Sequence, residues 1–273
     1  MVSVKVVALA GLAGLLTTVA NAADLPQYRA PVMVPYEQFA SGWYLRGDIG
    51  MSNQRVGSLF NALYSTATSV NTVQADFDSA PTFGIGAGYQ FNNWFRIDVT
   101  GEYRGKANFH GLDIVRAAGS TYTDEYRASK SEWVVLANAY FDLGTWYRVT
   151  PFVGVGIGGA YNTISNFTDV CNIVSVCTGG SVAIGPTYSK WNLAWAAHAG
   201  LAYKVTQSFT VELSYRYLNI GNAQSGDLAT YLGTNTVYNP MEFRNITSHD
   251  VRLGVRWLLT PPEPVLPPLM RRG

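Results

Sequence analysis

Eight segments of this chain alternate apolar and polar side chains with a period of two. That pattern belongs to β-strands whose two faces meet different surroundings. The segments are 43–51, 83–91, 95–104, 133–143, 151–161, 191–204, 209–218 and 250–259. In 95–104 the alternation is cleanest: Phe95, Ile97, Val99, Gly101 and Tyr103 against Arg96, Asp98, Thr100, Glu102 and Arg104. In 133–143 it is blurred by Val134 and Leu136. A length of about ten residues suits a tilted membrane strand and exceeds the five or six of an ordinary soluble strand.

The connectors sort strictly. Asn92-Asn93, about six residues near Gly144–Val149, and Thr206–Ser208 make three short joins. Between them lie stretches of more than 25 residues, at 53–80, 105–130, 162–190 and 219–248. Short turns on one side and long loops on the other describe an outer-membrane barrel, with both termini on the periplasmic side. Aromatics follow the same geometry. Trp43, Tyr89, Phe91, Trp94, Phe95, Phe141, Trp146, Tyr203, Phe209 and Trp257 fall at the short-turn ends. Tyr103, Trp133, Tyr161, Trp191 and Tyr217 fall at the opposite ends, as two interfacial belts require. The expected fold is all-β: an eight-stranded antiparallel transmembrane up-and-down β-barrel over 43–259 with four long external loops.

Composition agrees. Only 14% of residues are charged, against about a quarter in soluble domains, and the hydrophobic share is 48%. Yet no internal apolar run reaches the roughly 20 residues of a membrane helix. At the N-terminus, Lys5 precedes the uncharged run Val6–Leu16, and Ala20-Asn21-Ala22 follows. This reads as a signal peptide over 1–22, cleaved between Ala22 and Ala23, and as export. Cleavage removes Lys5 and no acid, so nineteen basic residues become eighteen against eighteen acidic ones. A mature net charge of zero speaks against nucleic acid as a partner. Residues 23–42 form a proline-containing periplasmic linker, and 260–273, with five prolines, a periplasmic tail that cannot pair as a strand.

Charges occupy the face opposite the apolar one. Arg46, Asp48, Arg96, Asp98, Glu102, Arg104, Glu212, Arg216, Arg252 and Arg256 would each be costly toward lipid, about 2–4 kcal/mol for an arginine at mid-bilayer. Facing inward, they can pair. An eight-stranded barrel is just wide enough for side chains to fill. A packed ionic interior is therefore expected, with a narrow polar channel for small solutes as the alternative. In the oxidising compartment, Cys171 and Cys177 are first expected to form a disulfide, then to be free thiols, and last to bind metal.

The segments Trp43-Tyr44-Leu45-Arg46-Gly47-Asp48-Ile49-Gly50, Pro151–Gly158 and His249–Trp257, with the mature start Ala-Asp-Leu-Pro, resemble the alphaproteobacterial outer-membrane surface-antigen porin family. The resemblance covers essentially the whole mature chain. It implies an abundant barrel of the Gram-negative outer membrane that supports envelope integrity, and in some members a porin-like or hemin-binding role. For hemin, loop tyrosines Tyr64, Tyr122, Tyr126, Tyr188, Tyr231 and Tyr238 and His110 are the candidate ligands. The run Arg252-x-Gly254-x-x-Trp257-x-Leu259 matches the final-strand pattern read by barrel-assembly machinery. The other expected partners are outer-membrane lipid and lipopolysaccharide; no cofactor is expected.

A lipid-modifying enzyme would need a nucleophile and a base. Ser248-His249-Asp250 holds the right residue types. Adjacent strand residues point to opposite faces, so the run does not make a triad. His198 is expected inside the barrel. No catalytic residue is assigned. The reading is a structural surface protein whose loops meet the medium.

Overall fold

The computed structural model describes residues 41–259 except 173–181, 232, 234 and 236. The signal peptide with its Ala22/Ala23 cleavage site, most of the linker, and the tail lie outside the described residues. So does Cys177; Cys171 itself is disulfide-bonded.

Twelve strands and one short 3-10 helix make up the described chain: β1 (Gly42–Arg55), β2 (Ser58–Phe60), η1 (Ala62–Thr66), β3 (Ser69–Phe77), β4 (Ala80–Gln90), β5 (Phe95–Ala117), β6 (Ser120–Asp142), β7 (Val149–Cys171), β8 (Val182–Gly185), β9 (Tyr188–Lys204), β10 (Phe209–Gln224), β11 (Ala229–Thr230) and β12 (Glu242–Leu258). Eight of them pair in a closed antiparallel ring, β1-β4-β5-β6-β7-β9-β10-β12 and back to β1. Closure satisfies the backbone groups of the eight ring strands where lipid offers no hydrogen bonds. Each ring strand covers one of the alternating segments, whole or all but its last residue.

Two of the three short joins are held by local side-chain caps, and the third by the Trp146–Val149 backbone bridge. Asn92 Oδ1 accepts from the amides of Trp94 (3.0 Å) and Phe95 (2.8 Å). Thr206 Oγ1 accepts from Phe209 N at 3.0 Å. Above them the aromatic belt is contiguous, with Trp43 against Tyr89 and Trp94 stacked on Phe141. At the other edge Tyr103 packs on Trp133, Tyr161 on Trp191, and Trp195 on Tyr217. From Phe95 to Tyr103 is eight strand steps, about 27 Å of strand, which a tilt near 40° reduces to about 20 Å. That approaches the height of an outer-membrane apolar band.

The outer connectors depart from irregular loops. β5 and β6, 23 residues each, run on beyond the outer belt and meet in a turn at Ala118 and Gly119. The connector expected over 105–130 is therefore a strand hairpin. β7 likewise continues to Cys171; β3 and β8 pair onto the extensions of β5 and β7, and β2 onto the outer end of β12.

The extensions invert the pattern below them. Inside the membrane the outer face is apolar; in water the inner face must be. The chain changes phase through bulges at one level. β5 inserts an extra residue between Arg104 and Ala107, so the inward positions switch from Arg96, Asp98, Glu102 and Arg104 to Ala107, Phe109 and Asp113. β7 does so beside Asn166 (φ 54), and β10 and β12 beside Gly221 (φ 73) and Asn245 (φ 52). Asparagine and glycine are the residues that tolerate this left-handed backbone.

Candidate functional site

The inward column of β6 gives the layering of the interior. From the periplasmic end it reads Asp142, Tyr140, Asn138, Leu136, Val134, Glu132, Lys130, Ala128, Tyr126, Asp124, Tyr122. Polar and apolar storeys alternate, with an acid, Asp124, near the outer crown.

All ten charged residues expected inside the barrel are buried. In the lower storey Arg46 pairs with Asp98 at 2.8 Å and lies 3.6 Å from Glu212. Glu212 also meets Arg96 (3.5 Å) and Arg256 (3.3 Å), and Arg252 Nε donates to Asp48 at 3.0 Å. In the upper storey Glu102 is shared by Arg104 (2.9 Å), Arg216 (2.6 Å) and Arg252 (3.5 Å). Arg104 is the hub. It donates to Asp250 through Nη1 (2.8 Å) and Nη2 (3.0 Å), to Glu132 at 2.7 Å and to Ser248 at 2.7 Å. Planar, multiply donating guanidinium suits such sharing better than a point charge.

Four charged members were not assigned from sequence: Lys130, Glu132, Asp142 and Asp250. Lys130 and Glu132 pair with each other and with Gln54, where Lys130 Nζ donates to Oε1 at 2.9 Å. Asp142 accepts from Arg96 at 3.2 Å. With them the barrel holds seven buried bases (Arg46, Arg96, Arg104, Lys130, Arg216, Arg252, Arg256). Facing them are seven buried acids (Asp48, Asp98, Glu102, Glu132, Asp142, Glu212, Asp250). The counts cancel, as burying charge requires.

The interior is not wholly ionic. Val134 and Leu136, which blur the sequence pattern, pack inside with Ala160, Ala194, Ala196 and Leu218. Glycines give the network room: a Cβ at Gly88 would strike the Tyr44 ring, and one at Gly154 the Tyr140 ring. Arg96 lies between the Tyr140 (4.2 Å) and Phe152 (4.8 Å) rings. His198 is buried, its Nε2 3.2 Å from Asn138 Oδ1.

Above the upper storey, an aromatic plug crosses the bore. Phe109 meets Phe77 (5.1 Å) and Phe243 (4.8 Å), and Phe167 meets Phe243 (6.2 Å) and Tyr126 (6.0 Å). The sequence pattern does not reveal it, because it is built by the phase-shifted parts of β5, β7 and β12 together with β6 and β3.

Beyond the plug lies a cavity of about 330 Å³ lined by Tyr64, Tyr122, Tyr126, Asp124, Asp169 and Met241, among others. Three of the candidate iron-ligating tyrosines meet here. Tyr64 donates to Asp113, and its hydroxyl lies 3.3 Å from that of Tyr126. Tyr188, Tyr231 and Tyr238 are exposed and line no part of the cavity. His110 faces water beside Asp78, 3.8 Å away. Among the described residues, no lysine or arginine lines the cavity beside Asp124 and Asp169. Burial, then repulsion from Asp124 and Asp113, pushes Asp169 up to about 8. Burial and Asp113 push Asp124 up to about 6.

Ser248-His249-Asp250 is split across the wall. Ser248 and Asp250 point inward, 2.5 Å apart, while His249 faces out against Tyr215 Oη at 2.5 Å. The three side chains do not form a relay.

The profile of the outer membrane protein beta-barrel domain matches residues 9–257. The chain belongs to this family. An uncharacterized protein of Brucella suis biovar 1 is 34% identical over 241 residues, covering 79% of this chain and 82% of the relative. The outer membrane protein PagN of Salmonella typhimurium is 26% identical, covering 83% of this chain and 95% of that one. A putative adhesin of Rickettsia prowazekii is 26% identical, covering 79% and 86%. Family membership places the protein in the Gram-negative outer membrane and among the surface-antigen barrels that its sequence resembles.

Proposed function

We propose that this barrel is a closed structural and surface protein of the envelope, non-enzymatic, whose outer crown makes its external contacts. The observation that carries the reading is the filled bore: seven bases against seven acids, with an aromatic plug above them. A solute would have to displace paired, buried charges, each several kcal/mol from its alternatives. Extended strands instead project the crown beyond the outer belt. There a rigid paired scaffold can present side chains to the medium at low ordering cost. Relatives named as outer membrane protein and as putative adhesin are consistent with a surface role. Outer-membrane lipid and lipopolysaccharide would surround the apolar belt, and β12 would carry the assembly signal through Gly254 and Trp257. The test is liposome swelling with small sugars. Swelling no faster than for protein-free liposomes is expected; rapid, size-dependent swelling would instead establish a narrow porin.

A further inference from the structure

Eight acids are buried in the described residues, and seven sit in the ionic storeys. The eighth is Asp113. It is fully buried, and its Oδ2 accepts from Tyr64. Its Oδ1 has no hydrogen-bond partner. Other carboxylate oxygens without a direct hydrogen bond, on Asp48, Glu102 and Glu212, lie within reach of arginines. Asp113 has no such cation, because the aromatic plug separates it from Lys130 and Arg104.

Asp113 is cross-strand partner to Asp124, and both face inward. Asp169, on the neighbouring β7, faces the same space. Like charges placed together cost stability unless something neutralises them. No lysine or arginine lines this cavity. Its floor is closed by Tyr126, Val115, Leu228 and Met241, all nearly inaccessible, while Leu63 and Thr66 at its rim are exposed. It is a pocket open to the outside, acidic on one wall and lined elsewhere by tyrosine rings and aliphatic groups. Among the described residues no three acidic, histidine or cysteine side chains converge closely enough to hold a metal ion.

We infer that the crown cavity is a binding site for an alkylammonium group, its charge held by Asp124 and Asp169, with Asp113 buried behind Tyr64 adding to the negative field, and its hydrocarbon stem held by Met241, Leu228 and the Tyr64, Tyr122 and Tyr126 rings. A volume of about 330 Å³ admits a four- or five-carbon amine. Tyrosine faces attract an ammonium, and a carboxylate bonded to a charged donor gains more than one bonded to a neutral donor. The raised positions of Asp124 and Asp169 accord with a site short of positive charge. A lysine side chain and a free polyamine carry this same group. The inference concerns the crown alone and holds whether or not the bore conducts.

The test uses the full mature protein folded in detergent micelles and isothermal titration with pentylamine, pentanol and calcium. Saturable binding of pentylamine, with pentanol and calcium at least about tenfold weaker, is expected. The Asp124→Asn, Asp169→Asn double variant should keep its heat-dependent gel mobility and bind pentylamine about tenfold or more weakly. Equal binding of pentanol, tighter binding of calcium, no binding of pentylamine, or a folded double variant with unchanged affinity would each overturn the site. Should the variant fail to fold, the wild-type comparison of amine with alcohol decides alone. Spermidine and a lysine-bearing peptide then distinguish a free polyamine from a side chain, and tighter binding of either supports the site and names its source.

Discussion

Arg104→Met removes the best-connected cation of the interior. Its guanidinium loses two contacts to Asp250 and one each to Glu132, Glu102 and Ser248. Each acid keeps another cation: Asp250 and Glu102 keep Arg216, and Glu132 keeps Lys130. The bore nonetheless carries one uncompensated negative charge. Breaking a buried pair from one side costs about 3–5 kcal/mol. Asp250→Leu should cost a similar amount, since it strips Arg104 and Arg216 together. Made at once, the two changes restore equal counts and replace polar groups with apolar ones. The double variant is expected to be about 2–3 kcal/mol more stable than the sum of the single losses implies. Urea unfolding from phosphatidylcholine vesicles measures this, followed by fluorescence of the lipid-facing tryptophans and by gel mobility. Single losses below about 1 kcal/mol, or strict additivity, would refute the claim that the charges act as one balanced network.

Other consequences follow from the same geometry. Val99 faces lipid at mid-strand, so Val99→Arg should destabilise the inserted barrel by about 2–4 kcal/mol in the same unfolding assay. Asp169 is held up to about 8 in the folded crown against an ordinary value of 3.8. The folded protein thus retains a proton that the unfolded chain has released. The resulting penalty is absent below the ordinary value, grows as pH rises, and is complete above the folded value. Crown stability should therefore fall with rising pH across that window, by at most about 1.4 kcal/mol per pH unit. Hydrogen exchange of the outer amides of β6 and β7 should accelerate accordingly, and Asp169→Asn should flatten the trend.

The membrane-embedded part was legible because lipid enforces one rule on every outward side chain. Phe95, Ile97 and Val99 against Arg96, Asp98 and Thr100 could hardly be read otherwise. The rule stops at the outer belt. There the solvent changes, so the apolar face turns inward, and bulges at Gly105–Lys106, Asn166 and Asn245 shift the phase by a residue or more. A search for unbroken alternation reads such segments as loops, and Lys130 and Glu132, on the unshifted β6, went unassigned because their outward neighbours Ser129 and Ser131 are polar too. Val134 and Leu136 looked like noise because an apolar storey inside a polar bore has no local signature. The crown cavity depends on Asp124 and Asp169 meeting across β6 and β7, with Asp113 of β5 buried beside them. Spacing along the chain carries no trace of that meeting.

Planar-bilayer recording of the purified barrel tests the closed bore most directly. A filled, plugged interior predicts insertions without discrete conductance steps. Stable stepwise openings in most insertions would contradict it.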